Sequence, residues 1–233
     1  MAKPSKTAQR LATLVRRLRS YYGSPVAPPV RDPYLLLLWE QVGYLADDEK
    51  RLAAYGLLET SIGTRPQDII DATTPKLQAV TRRGGGVAVA ERAERLRTIA
   101  KRVLGEWDGD LRAVLALPLH EARRELTRFP SIGAAGAERI LLLCGAHAVL
   151  ALDSNALRVL TRLGYGREYP EWTKTYRAAQ AAADAELPRT TVARRNAFLL
   201  LRQHGQTLCR RSAPRCLECP LRSDCPTGLK RRA

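Results

Sequence analysis

Apolar residues recur along this chain at helical spacing, while the strict alternation of a half-buried strand is almost absent. Over residues 5 to 22, Leu11, Leu14, Val15 and Leu18 fall at i, i+3, i+4 and i+7 with arginines opposite, which predicts an amphipathic helix. Gly23 ends it, and Pro25, Pro28 and Pro29 predict an extended linker. Pro33 then opens an apolar helix through Val42, with proline in its favoured first-turn position. Asp47 can cap a helix from Asp48 to Leu58. Thr64-Arg65-Pro66 and Thr73-Thr74-Pro75 are starts for two short helices. Gly84-Gly85-Gly86 makes a turn before a long amphipathic helix from about Val89 to Leu104, and another helix is expected from about Pro118 to Thr127. No repeat of 20 to 50 residues is visible. Short helices joined by Gly/Pro turns predict an all-α fold.

Composition narrows the partners. The 233 residues suffice for one large domain or two small ones, and 45% hydrophobic content supports a core. With 39 Lys+Arg against 23 Asp+Glu, the net charge of +16 concentrates polyanions around the protein, nucleic acid first among them. An anionic membrane is the rival, and no run of 18 apolar residues supports it. Met1-Ala2-Lys3-Pro4-Ser5 lacks an apolar signal core, so a cytoplasmic protein is expected. Five cysteines in a reducing compartment argue against disulfides.

Four of those cysteines crowd together as C-x6-C-x2-C-x5-C: Cys209, Cys216, Cys219 and Cys225. Thiolates select zinc or iron–sulfur clusters. Structural zinc usually takes two C-x2-C knuckles, whereas one knuckle between longer loops suits a [4Fe–4S] cubane. Zinc and unliganded thiols are the alternatives. Cys144, inside Leu141-Leu142-Leu143-Cys144, reads as a small buried residue.

Between two helical stretches lies Phe129-Pro130-Ser131-Ile132-Gly133-Ala134-Ala135-Gly136-Ala137. Pro130 ends the first helix. Ser131, Gly133, Ala135 and Gly136 keep the turn bare, so backbone N–H groups and a helix N-terminus can meet a DNA phosphate. Gly136 and Ala137 would let the two helices pack tightly. This is a helix–hairpin–helix pattern, although a plain tight turn would explain the same glycines. Arg210, Arg211 and Arg215 in the cysteine loop would face phosphate, or the loop would serve only as a staple. The tail Lys230-Arg231-Arg232 could add non-specific affinity.

Two carboxylates are candidates for chemistry. Asp153, in Leu152-Asp153-Ser154-Asn155, stands at a helix start about 20 residues past the hairpin. As a bland alternative it is an N-cap. As a functional group it would stabilise a cationic sugar or activate water against it. Glu40 lies in a helix that is apolar on its other sides, where burial would keep it protonated as a general acid. A solvated glutamate is its bland alternative.

Hairpin, aspartate and cysteine loop in this order resemble the endonuclease III and adenine-mismatch glycosylase superfamily of base-excision repair enzymes, over roughly residues 30 to 226. The resemblance implies two helical lobes. A barrel of residues 26–147 carries the hairpin at about 122–146, and a lobe of residues 1–25 and 148–228 carries the cluster. The active site would lie in the cleft between, where a flipped base is received. Asp153 falls on the family's catalytic aspartate. Bifunctional members carry a hairpin lysine that forms a Schiff base, and Ala135 stands there instead. Glu40 falls where adenine and thymine mismatch glycosylases place a catalytic glutamate. The stretch Gln41 to Asp48 lacks the usual glutamines or threonine, leaving Tyr44 or Leu45 as the wedge that fills the gap of the flipped base. The chain ends eight residues after Cys225, too soon for the extra domain of adenine glycosylases.

The expectation is a monomeric, monofunctional DNA glycosylase acting on duplex DNA with a damaged or mismatched base. Two rivals stand beside it. One is a bifunctional glycosylase/AP lyase using another amine, such as Lys50 or Lys101. The other is a catalytically idle protein that binds lesions or DNA structure.

Overall fold

Proline and short acidic side chains set where the helices begin. The structure, a computed structural model, describes residues 10–230. The expected start of the first helix at residue 5, and Arg231 and Arg232 of the basic tail, lie outside those residues. The first helix, α1, is Arg10–Tyr22 and buries Leu11, Leu14 and Leu18. In α2 (Pro33–Val42), the Asp32 carboxylate accepts from the N–H groups of Tyr34 and Leu35 at 2.9 and 3.1 Å. Pro33 opens the helix as expected, and the Asp32 cap is additional. Asp47 caps α3 (Asp48–Ser61) as expected, accepting from Lys50 N–H at 2.8 Å, and the helix runs a turn beyond Leu58. Then come α4 (Pro66–Asp71), α5 (Thr74–Arg83) and α6 (Val89–Trp107), the last extending past Leu104. A 3-10 turn at Leu111–Ala116 precedes α7 (Leu119–Thr127) and α8 (Ala134–Leu143). The remaining helices are α9 (Ser154–Arg162), α10 (Trp172–Asp184), α11 (Thr191–Thr207) and α12 (Pro226–Leu229). Among the described residues there is no strand, and no helix is long and apolar enough to cross a membrane.

The chain divides into two compact units, after Pro28 and again after Ile140. The second division falls seven residues before the boundary expected at 147. α8 accounts for the difference, because the hairpin's second helix passes the division before it ends at Leu143.

In the unit from Pro29 to Ile140, α6 packs against α2, α4 and α5 around Leu36, Leu37, Ile69, Leu77, Val80, Leu96 and Ile99, each without exposed surface. Burying each such side chain contributes about 1.5–3 kcal/mol. In the middle of this apolar packing sits Arg92, 1% exposed. Its guanidinium has five N–H donors. Nε donates to Val87 O at 3.0 Å, Nη1 to Gln41 O at 3.3 Å and Val42 O at 3.0 Å, and Nη2 to Thr81 O at 2.6 Å and to Gly85 O. A helix leaves its last carbonyls without intrahelical donors, and Arg92 supplies donors where α2 ends. Close approach completes the joint: a Cβ on Gly84 would lie 1.7 Å from Val42 O.

The other unit joins α1 to the chain from Leu141 onward. Here α9 and α11 make the most extensive helix pairing, and α1 and α10 pack against them. The approach is close at Gly205, where an added Cβ would meet Asn155 O at 2.6 Å.

The Gly84 joint gives a direct test. Gly84→Ala must push α2 away from the α5–α6 turn, so it is expected to cost about 3 kcal/mol of stability, at the upper end of overpacking. Urea denaturation checks this, and a midpoint unchanged from wild type would mean that the two segments are not locked together.

Candidate active site and nucleic-acid interface

The hairpin turn is shaped by one strained residue and two carbonyl contacts. α7 ends before Arg128, Ile132 N–H closes on Phe129 O at 3.2 Å, and α8 starts with Ala137 N–H bonded to Gly133 O at 2.9 Å. Ser131 has φ +63°, the left-handed region that suits glycine. Gly133 and Ala134 are exposed, and a Cβ on Gly133 would meet nothing within 4 Å. The first N–H groups of α8 therefore point from a bare surface, which is the chemistry of an anion site. Ala137 is fully buried. Gly136 is not required for packing, since a Cβ there would meet Ile132 at 3.5 Å, ordinary contact, which corrects the expectation that it lets the helices close up. Ala135 is half-buried.

α2 holds this hairpin from behind. Gln41, 3% exposed, donates from Nε2 to Pro130 O at 3.2 Å. Glu40 accepts two parallel bonds from Arg139 on α8, Nε to Oε1 at 3.0 Å and Nη2 to Oε2 at 2.7 Å, and Arg51 Nη1 lies 3.9 Å from Oε2. The apolar pocket expected to keep Glu40 protonated is thus replaced by two guanidinium groups, and opposite charge favours the ionised carboxylate. The reason is tertiary: the side chains that reach Glu40 come from α3 and α8, not from its own helix. The loop after α2 carries the two wedge candidates, Tyr44 at 51% and Leu45 at 80% exposure, with Leu45 at φ +50°. Tyr44 N–H is bonded to Gly84 O at 3.2 Å, so this loop rests on the Arg92 joint.

Asp153 belongs to the other unit. It caps α9, one oxygen accepting from Asn155 and Ala156 N–H at 3.0 and 2.8 Å. The second oxygen lies 3.1 Å from Nε of Arg202 on α11 and 3.5 Å from Nδ2 of Asn155. Both Asp153 and Arg202 side chains are 19% exposed. The cap and the functional reading are therefore compatible, because capping occupies only one oxygen. Arg202 was not found from the sequence, where nothing separates it from the other arginines.

The four cysteines line a single cavity whose walls include Val159, Leu163, Leu208 and Leu221. Leu221 N–H reaches Cys219 Sγ at 3.4 Å, Gly228 N–H reaches Cys225 Sγ at 3.3 Å, and Arg162 Nη1 reaches Cys209 Sγ at 3.3 Å. Burial pushes the Cys219 thiol up to about 11 and raises Cys209 as well, although Arg162 opposes the latter. As free groups these are thiols at neutral pH, and a set of thiolates there needs a cation beside it. His204 Nε2 stands 3.4 Å from Cys219 Sγ, and burial pushes its imidazole down to about 4, so the ring is neutral at pH 7. Among the described residues no group of three or more His, Cys, Asp or Glu is set as a site for a metal ion. The fit to a cluster thus rests on the soft donor set, the shared apolar cavity and the N–H groups aimed at sulfur.

The loop itself is tied down by arginines that the sequence did not single out for this purpose. Arg158 donates to Gly205 O at 2.7 Å and Cys209 O at 2.9 Å, and Arg162 donates to Arg210 O at 2.8 Å and Arg211 O at 3.2 Å. Arg210 and Arg211 are exposed, whereas Arg215 is paired with Glu218, Nε to Oε1 at 2.8 Å. Cys144 is half-buried.

The Glu40 pairing carries a stability prediction. Glu40→Ala leaves two enclosed guanidinium groups without this carboxylate and is expected to cost about 2–3 kcal/mol, with Glu40→Gln costing less. A shift of the urea midpoint measures it, and no shift for Glu40→Ala would show that the pair does not hold α8.

No protein-family profile matches the chain. Endonuclease III of Bacillus subtilis (strain 168) is 24% identical over 167 residues, 72% of this chain and 69% of that protein. Among solved structures, endonuclease III trapped as a covalent intermediate with DNA superposes with a TM-score of 0.75 at 18% identity, covering 99% of each chain. A thermostable thymine-DNA glycosylase gives 0.73 at 18% identity, covering 95% of this chain and 97% of that one. A 3-methyladenine DNA glycosylase of H. pylori gives 0.65 at 16% identity, covering 85% of this chain and 98% of that one. The chain thus resembles endonuclease III in sequence over most of its length, and it shares the all-α fold of the solved endonuclease III and thymine-DNA glycosylase structures.

Proposed function

We propose that the protein is a monofunctional DNA glycosylase that removes a damaged or mismatched base with Asp153 as its working carboxylate. The observation that carries this reading is the Asp153 side chain itself. It is fixed at the start of α9 with one oxygen on the helix cap and the other held at Arg202, in a fold shared with DNA glycosylases. Breaking an N-glycosidic bond builds positive charge on the sugar, and a fixed anion beside it lowers the barrier. Asp153 Oδ2 is the atom that faces the sugar or accepts a proton from the attacking water. The base must leave the duplex to reach it, and Leu45 or Tyr44 fills the space it vacates.

DNA is held through its backbone. Ser131, Gly133, Ala135 and Gly136 present the N-terminus of α8 to one phosphate, and Arg210 and Arg211 meet another. Ala135 supports hydrolysis rather than lyase chemistry, because a methyl group forms no Schiff base. Glu40 acts through structure: its charge is committed to Arg139, which leaves it poorly suited to donate a proton.

Cys209, Cys216, Cys219 and Cys225 hold a [4Fe–4S] cluster in this reading, and its contribution is to fold the loop that carries Arg210 and Arg211. Protein produced under anaerobic conditions is expected to contain about four iron and four sulfide per chain. Iron-free protein that is folded and active would overturn this part.

Two measurements decide the activity. A panel of duplexes, each with one uracil, G:T mismatch, oxidised pyrimidine or alkylated purine, is expected to yield strand breaks only after alkali. Asp153→Asn is expected to lower the rate about 100-fold or more while the protein stays folded. Breaks without alkali, or a covalent adduct trapped by borohydride, would refute the monofunctional reading. No cleavage of any duplex would favour an idle DNA-binding protein.

A further inference from the structure

We propose that Arg202 is a positioning residue for the reaction, fixing the direction in which the Asp153 carboxylate presents Oδ2, the oxygen that the helix cap does not use. This rests on the reading of Asp153 given above and extends it to a residue of α11.

The geometry starts from a shortfall in the cap. Two backbone N–H groups of α9 pin Oδ1 of Asp153 at 3.0 and 2.8 Å. A carboxylate pinned at one oxygen can still pivot about that point, so the cap alone does not say where Oδ2 points. Arg202 Nε at 3.1 Å removes the pivot by holding Oδ2 from the facing helix. The Asn155 amide, 3.5 Å from Oδ2, is too distant for a strong bond and too short to impose a direction from another element.

The position of Arg202 supports a dedicated role. It lies one turn after Phe198, which is 1% exposed, and three residues before Gly205, which touches Asn155 across the helix pair. An enclosed guanidinium is costly unless it is paired. The other arginine near Asp153 does not do this work. Arg158 spends its donors on Cys209 O, on Gly205 O and on Asn155 Oδ1 at 2.7 Å. Asn155 thereby stands between the two arginines, its carbonyl to Arg158 and its amide towards Asp153. Moving a reacting group by about 1 Å can lower a rate about 100-fold. Losing one of the two holds on the carboxylate is an error of that kind.

The test combines rate, binding and rescue on the full-length protein. Single-turnover cleavage is measured on every duplex of the panel described above. Binding is measured by fluorescence anisotropy on a duplex with a tetrahydrofuran abasic-site analogue. Arg202→Gln is expected to slow cleavage about 10- to 100-fold while the affinity for the abasic duplex changes less than about twofold. Arg202→Lys recovers part of the rate, and added guanidinium ion recovers part of it in Arg202→Ala. In an Asp153→Asn background, Arg202→Gln causes no further loss, because a residue acting through Asp153 has nothing left to position.

Several outcomes would overturn the proposal. A rate that is unchanged, or that rises, makes the arginine a bystander or a brake. Equal losses in rate and abasic-duplex affinity make it a DNA contact. Additive losses in the double variant give it a role independent of Asp153. A fall in thermal stability that neither lysine nor guanidinium repairs makes it structural only. If Asp153→Asn is as active as wild type, or no duplex is cleaved, the reading of Asp153 fails and takes this one with it. Loss in Asp153→Asn beside a silent Arg202→Gln sinks the positioning role alone.

Discussion

A guanidinium group that saturates carbonyls at the end of a helix is the device on which this structure depends. Arg92 is the fullest case, its five N–H groups meeting five carbonyls from the end of α2, from α5 and from the turn before α6. An all-α protein leaves unsatisfied carbonyls wherever a helix stops, and their burial carries a penalty of about 1–3 kcal/mol each. Here arginines fill that role repeatedly. Arg158 and Arg162 cover the carbonyls after α11, and Arg194, 3% exposed, donates to Ala148 O at 2.6 Å and Pro188 O at 3.3 Å. One consequence is that turns carrying candidate functional residues are tied to the helices beside them. Leu45 rests on the Arg92 joint, and the cysteine loop rests on Arg158 and Arg162.

The same device changes what the charge of +16 means. Read as composition, every surplus arginine is a potential phosphate contact. In the folded chain many are committed inward or to a carboxylate: Arg92 and Arg194 to carbonyls, Arg139 to Glu40, Arg215 to Glu218. The field that draws a polyanion is set by net charge and survives this internal use. A paired side chain is less available: Arg215, exposed like Arg210 and Arg211, is bonded to Glu218.

How far the sequence could be read follows from the range of each interaction. Local chemistry was legible. Pro33, Asp47 and the glycines after Arg83 marked helix ends that the structure places within a few residues, because caps act within one turn. Pairings between distant segments were not legible. Glu40 looks apolar-flanked along its own helix, yet residue 139 supplies its partner, and Asp153 gave no sign of residue 202. The bare turn at Gly133 was foreseen, but of Gly136 and Ala137, both expected to allow tight packing, only Ala137 is buried, since helical phase decides which small residue faces inward. The division after Ile140 falls inside α8, and a continuous helix gives no compositional sign of a division.

The cysteine loop and the aspartate were read from the sequence as separate features, a scaffold and a reaction centre. In the folded chain a short series of hydrogen bonds joins them. Cys209 O accepts from Arg158 Nε at 2.9 Å, Arg158 Nη2 donates to Asn155 Oδ1 at 2.7 Å, and Asn155 N–H donates to Asp153 at 3.0 Å. Gly205 keeps this series short, because any larger residue would force α9 and α11 apart at Asn155. A cluster that orders residues 209 to 225 would therefore also order the residue that sets the start of α9. On the proposed reading, a cluster there would need no redox step to matter, since order passed through Arg158 and Asn155 would reach the Asp153 carboxylate.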